Sequence, residues 1–167
     1  MTQQQIVEQL RATFPDKLGT WIEMTNGSEY QRRIGSYLEI ASPEIVKELC
    51  LYLRDAKELA FNSLLLISTL DNGDGSLSVV YHIESTTHAH RLALKVTLNS
   101  DHAIVPSVTG VWAHANWQER EAWDMMGIRF AGHPDHRRIL LDEDYPGHPL
   151  RKDFKEPDFY HGMKVPN

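Results

Sequence analysis

The stretch from Phe61 to Asn99, FNSLLLISTLDNGDGSLSVVYHIESTTHAHRLALKVTLN, decides the fold class. Phe61 to Leu70 is a near-continuous apolar run, which reads as a central strand, and Asp71-Asn72-Gly73-Asp74-Gly75 is a dense turn signal. Beyond the turn, Leu77, Val79, Tyr81 and Ile83 recur at every second position. After a hairpin tip carrying His88 and His90, Leu92, Leu94, Val96 and Leu98 repeat the spacing, with Arg91, Lys95 and Thr97 between them. A period of two sends alternate side chains to opposite faces, so these segments predict strands in hairpin order with one wet face.

Upstream, Thr2 and Gln5 form a capping box, and Ile6, Val7, Leu10 and Phe14 share one helical face before Pro15 and a break at Gly19. Thr20 to Met24 and the alternation Ile34, Ser36, Leu38, Ile40 predict two strands joined through the Asn26-Gly27 turn signal. Ser42 as N-cap, Pro43 and Glu44 start a second helix, with Ile45, Val46, Leu49, Cys50 and Leu53 as its buried stripe. Two helices, hairpin-ordered strands and no repeated βα unit predict an α+β fold: a mostly antiparallel sheet with helices packed on one side.

Downstream the texture changes, because six of the eight prolines and three of the four tryptophans lie beyond residue 105. Asn116 and Glu119 make a capping pattern for a short third helix through Trp123 and Met126, ended by Gly127 in a left-handed conformation. From Asp142 to Asn167 four prolines alternate with Tyr145, Leu150, Phe154, Phe159, Tyr160 and Met163, a segment that cannot build a core of its own. Prolines lower its ordering entropy and spaced aromatics supply anchors. We therefore expect an α+β domain over 1–141 and an extended C-terminal tail over 142–167 that docks on another surface.

Composition narrows the function. A chain of 167 residues with 41% hydrophobic and 24% charged residues is about one globular domain. Its net charge of −6 opposes nonspecific binding to nucleic acid or anionic lipid. The apolar run Leu64 to Ile67 is far short of the about 20 residues that cross a bilayer, and the polar start Met1 to Gln5 is unlike a signal peptide, so a soluble, unexported chain is expected. The single cysteine, Cys50, excludes an intrachain disulfide and a cluster ligated by about four thiolates of this chain. It falls in a helical apolar stripe, as a buried structural thiol does.

Motifs for chemistry are sparse. The chain has no glycine-rich nucleotide cradle and no Gly-x-Ser-x-Gly elbow. Asp71 to Gly75 matches the start of a calcium loop, but the twelfth position is His82 instead of a bidentate glutamate. His133 and His136 sit in a Gly-Pro loop and lack the helical His-Glu-x-x-His arrangement. A small metal-dependent enzyme using these two histidines and nearby carboxylates is the alternative from another class. Glu119, Arg120, Glu121 and Asp124 are expected to cap the third helix and to form interhelical ion pairs. Gly132-His133-Pro134-Asp135 and Gly147-His148-Pro149-Leu150 read as two tight turns. They bracket Arg137, Arg138 and the acidic run Asp142-Glu143-Asp144, which we expect to share one polar network.

Read whole, Asn116-Trp117-Gln118-Glu119-Arg120-Glu121-Ala122-Trp123-Asp124-Met125-Met126-Gly127-Ile128, then Gly132 to Leu140 (GHPDHRRIL) and Asp144 to Asp153 (DYPGHPLRKD), resembles the signature of the 30-kilodalton subunit family of respiratory complex I. Met126, His136 and Tyr145 depart from the usual aromatic, leucine and tryptophan. The resemblance implies a peripheral-arm subunit of an NADH:quinone oxidoreductase. Such a subunit has no cofactor of its own, the iron–sulfur clusters, FMN and quinone lying in partner subunits. It binds the 49-kilodalton subunit near the quinone site and reaches the membrane only through the complex, on the cytoplasmic side of the bacterial inner membrane or the equivalent organellar face. No nucleic acid is implied. Equivalent subunits of ferredoxin-linked or membrane-bound hydrogenase complexes remain an alternative branch. The interface or signature positions are Glu119, Arg120, Glu121, Asp124, Gly127, His133, Pro134, Arg137, Arg138, Gly147, His148, Pro149 and Arg151, none of them expected to be catalytic.

Overall fold

The computed structural model describes residues 1–23 and 35–165. The expected Asn26-Gly27 turn and Ile34 lie outside the described residues. Helix α1 (Gln3–Thr13) starts at the Thr2/Gln5 capping box read from the sequence and buries Ile6, Val7 and Leu10. Strand β1 (Leu18–Ile22) begins before the expected Thr20 and runs through Gly19. Gly19 is no break: β1 lies so close to β2 (Tyr37–Ile40) that a Cβ there would meet the Glu39 Cβ at 2.9 Å.

The second helix also opens differently from expectation. Pro43–Ile45 form a single 3-10 turn in which Ser42 makes no side-chain cap, and the α-helix proper, α2 (Val46–Asp55), follows. Its stripe Val46, Leu49, Cys50 and Leu53 is buried as expected.

Strands β3 (Ser63–Asp71), β4 (Ser76–Ser85) and β5 (His90–Asn99) form the expected hairpins. The five-stranded sheet has the order β1-β2-β5-β4-β3, antiparallel except for the parallel pair β2-β5. β3 is thus an edge strand, not the central one its apolar run suggested. Helix α3 (Ala115–Met126) packs along it, where Gln118 Oε1 accepts the Ile67 N–H at 2.5 Å; Leu64 and Ile67 of the run are buried, while Leu65 and Leu66 stay exposed. Leu77, Val79, Tyr81 and Ile83 of β4 and Leu92, Leu94, Val96 and Leu98 of β5 face one core that also receives the buried stripes of α1, α2 and α3. The fold is α+β, with helices gathered on one face of a mainly antiparallel sheet. A parallel pair, β6 (Ile104–Pro106) and β7 (Arg129–Ala131), brackets α3, and a small hairpin, β8 (Phe159–Tyr160) and β9 (Met163–Lys164), lies near the C-terminal end. No helix among the described residues is long and apolar enough to cross a membrane.

Candidate functional site

The signature residues converge on α3 and the loops that flank it. The preceding turn supplies the helix start: Ala115 and Asn116 donate their N–H groups to the carbonyls of Trp112 and Ala113. Asn116 is therefore already inside the helix, and the expected Asn116/Glu119 cap does not form; the N-cap residue is His114, with no side-chain cap. One turn further on, Glu119 instead shares the inward stripe with Ala115, Ala122 and Met126. Its Oε2 accepts the Ser107 hydroxyl at 2.6 Å and its Oε1 the Val108 N–H at 2.7 Å. The His133 ring lies 4.0 Å away with both side chains fully buried. Burial pushes the Glu119 carboxyl up to about 7, against the lowering effect of the Ser107 and Val108 hydrogen bonds.

Asp124, also buried, ties the helix to the following loop. Its Oδ2 accepts the N–H groups of Ile139, Leu140 and Leu141 at 2.9, 2.7 and 3.1 Å, and its Oδ1 pairs with Arg138 at 2.8 Å. Burial alone would raise its pKa, but these donors together hold it below the usual carboxylate range. Arg138 also donates to the carbonyls of Tyr145 and Gly147 at 3.1 and 2.9 Å. Arg120 donates to the carbonyls of Arg137 and Arg138 and pairs with Asp135 at 3.3 Å, while Arg137 forks onto Asp135 at 2.5 and 3.0 Å. The ion pairs of α3 are therefore with loop residues, not between helices. Asp135, absent from the positions singled out above, joins the two arginines; its one sequence signal is a carboxylate two residues before an arginine in a Gly-Pro turn.

The histidines are engaged with the backbone. His133 accepts the Asp135 N–H at Nδ1, which leaves its Nε2–H to donate to the Asn116 carbonyl at 3.1 Å. His136 accepts the Phe130 N–H at 3.1 Å, and burial lowers its pKa. Pro134 and Pro149 stand in the two predicted turns. Gly127 ends α3 at φ 73°, and His148, bonded through Nδ1 to the Asp124 carbonyl at 3.0 Å, packs so close that a Cβ on Gly127 would lie 2.5 Å from its ring. Trp123 lies between the rings of His136 and His148, at 4.9 and 5.1 Å. Arg151 closes the helix end by donating to the Met126 carbonyl at 2.8 Å and the Ser100 carbonyl at 3.0 Å.

The structure revises two further expectations. Among the described residues the acidic run makes no hydrogen bond or close ion pair with Arg137 or Arg138, although the Glu143 charge helps to hold Arg137 protonated: Asp142 and Asp144 share the Tyr160 hydroxyl at 3.1 and 2.8 Å, and Asp144 also meets His161 at 2.8 Å. The segment after Asp142 is not extended over its first half, where it makes successive turns and bonds to α3 and to Asp71 through the Leu150 and Lys152 N–H groups.

Nearly every charged group of the site thus closes on a neighbouring group or on the chain's own backbone, in a frame that fixes α3 and its loops. Fold and site define a small α+β module built around a structurally committed charged helix. Residues 40–160 match the family described as the 30 Kd subunit of respiratory-chain NADH dehydrogenase. An NADH-quinone oxidoreductase subunit of Chlorobium phaeobacteroides is 40% identical over 171 residues, spanning 99% of both chains. The subunit of the same description from Chloroherpeton thalassium is 42% identical over 131 residues, 78% of this chain but 55% of that relative's length. Among solved structures, a trypsin-resistant fragment (1-134) of Nqo5 aligns with TM-score 0.60 and 27% identity, covering 81% of this chain and 99% of the fragment. A chain of an archaeal membrane-bound sulfane sulfur reductase, described as a respiratory membrane complex, aligns with TM-score 0.65 and 25% identity over 91% of this chain and 85% of its own. The chain belongs to the 30 Kd subunit family of respiratory-chain NADH dehydrogenase, and is a subunit of complex I or a related respiratory complex.

Proposed function

We propose that this chain is a non-catalytic subunit of the peripheral arm of an NADH:quinone oxidoreductase. It braces the 49-kilodalton partner that carries the quinone site. Electron transfer from NADH to quinone, coupled to proton translocation, belongs to the assembly. The iron–sulfur clusters, FMN and quinone reside in the partners, and the complex holds this chain on the cytoplasmic side of the inner membrane or its organellar equivalent. The observation that carries this reading is the frame around α3: Glu119, Arg120, Asp124, Arg138 and Arg151 are committed to local partners, as scaffold residues are. The C-terminal hairpin, with Phe159 and Met163 exposed, offers apolar contact to a neighbouring subunit.

The likeness to the sulfane sulfur reductase chain favours one second reading, a related membrane complex with another electron donor. Purification of the tagged chain from its native cells in mild detergent, with mass spectrometry of the recovered subunits and donor-specific assays, separates the two. Recovery of iron–sulfur and membrane subunits with quinone-dependent NADH oxidation is the expected result. The same assembly active with ferredoxin but not NADH selects the second reading, and a lone chain contradicts both.

A further inference from the structure

Glu121 is the exception on α3. Glu119, Arg120 and Asp124 are buried, whereas Glu121 is exposed and has no hydrogen bond or ion pair among the described residues. It lies on a groove of about 260 Å³ between α3 and the edge strand β3, whose walls include Leu66, Gln118, Met125 and Leu150. Leu66 is 50% exposed and Leu150 61%. Large apolar side chains gathered beside one free carboxylate resemble an interface core with a single charge anchor more than an ordinary solvated helix face.

The edge of β3 also limits what can bind. Gln118 already occupies the Ile67 N–H, so an incoming strand cannot complete a hydrogen-bond ladder past that point. The occupant must engage by side chains. Resting on the reading that this chain is a subunit, we infer that the groove between α3 and β3 receives a partner-subunit segment that presents one arginine or lysine to Glu121 and aliphatic side chains to Leu66, Met125 and Leu150. Charge complementarity to the unpaired carboxylate sets the cation, and the exposed leucines set its neighbours.

The test uses the tagged whole chain in its native cells, comparing wild type, Glu121→Lys and, as a control on α1, Glu8→Lys. Partner recovery is quantified by mass spectrometry, and the fold of each purified variant is checked by thermal melting. The expected result is at least about a tenfold fall in partner recovery for Glu121→Lys, with an unchanged melt and with Glu8→Lys equal to wild type. Recovery equal to wild type overturns the groove while leaving the subunit reading intact; absence of partners from wild type itself overturns both. If Glu121→Lys disturbs folding, a photo-crosslinking amino acid at Leu150 decides. A crosslink to a subunit peptide containing arginine or lysine supports the groove, and no crosslink from an assembled complex overturns it.

Discussion

Among single residues, Asp124 shows how one carboxylate organises a loop. Three consecutive N–H groups and Arg138 all converge on it, so its removal strands a largely buried guanidinium and three donors together. Asp124→Ala should cost about 3–5 kcal/mol in urea unfolding of the whole chain; a loss under about 1 kcal/mol would contradict the network. Glu119 behaves in the opposite way. Its folded pKa, about 7, lies above the ordinary 4.5, so the folded state binds its proton more tightly than the unfolded chain does. This contribution is fully present below 4.5 and is lost as the pH rises through 7. From about pH 5 to pH 8 wild type should lose about 2–3 kcal/mol relative to Glu119→Gln, whose amide can still serve Val108 and Ser107; the comparison cancels the half-buried histidines His82, His136 and His148, whose lowered pKa values make stability rise over the same window. Parallel profiles for the two proteins would assign the titration elsewhere. Asp124 acts in a separate window, with stability lost only on acidification below its ordinary 3.8.

Among the elements, α3 ends where Gly127 and His148 meet. A side chain there faces both a left-handed backbone and the His148 ring, so Gly127→Ala should destabilise the chain by about 2 kcal/mol or more. Thermal melting checks it: a melting temperature within a degree or so of wild type would mean that His148 moves aside freely. The sequence showed this helix end, because a glycine after the last apolar position is a local signal. It also showed β4 and β5, whose alternation is complete. It did not show that β3 is an edge strand, since an apolar run looks the same whether its side chains are covered or, like Leu65 and Leu66, left exposed. Nor could it show the parallel β2-β5 pair, which joins segments separated by all of α2, β3 and β4. Among site residues, the charged types were legible, but their directions were not. Most of their partners are backbone groups brought near by tertiary folding, as with Arg120 and the carbonyls of Arg137 and Arg138. Glu119 was misread as a cap because the helix begins before Asn116, on a turn with no polar capping residue to mark it.

In the molecule as a whole, the C-terminal segment divides into an anchor and a projection. Leu150, Arg151 and Lys152 bond to the body, whereas beyond Lys155 the main links are Tyr160 and His161 to the exposed Asp142 and Asp144. A chain ending at Lys155 should match wild-type stability within about 1 kcal/mol, and one ending at Leu141 should lose about 2–4 kcal/mol, because the Arg151 and His148 contacts go with it. Equal stability of the two truncations in urea unfolding would contradict this division. If the chain holds a larger redox assembly together, its removal must be felt by that assembly. NADH:quinone oxidoreductase activity in membranes of cells lacking the gene, before and after the chain is restored, reads this out. Loss of activity together with breakdown of the complex into subassemblies, both reversed on restoration, is the expected outcome; an intact, fully active complex without the chain would refute the bracing role.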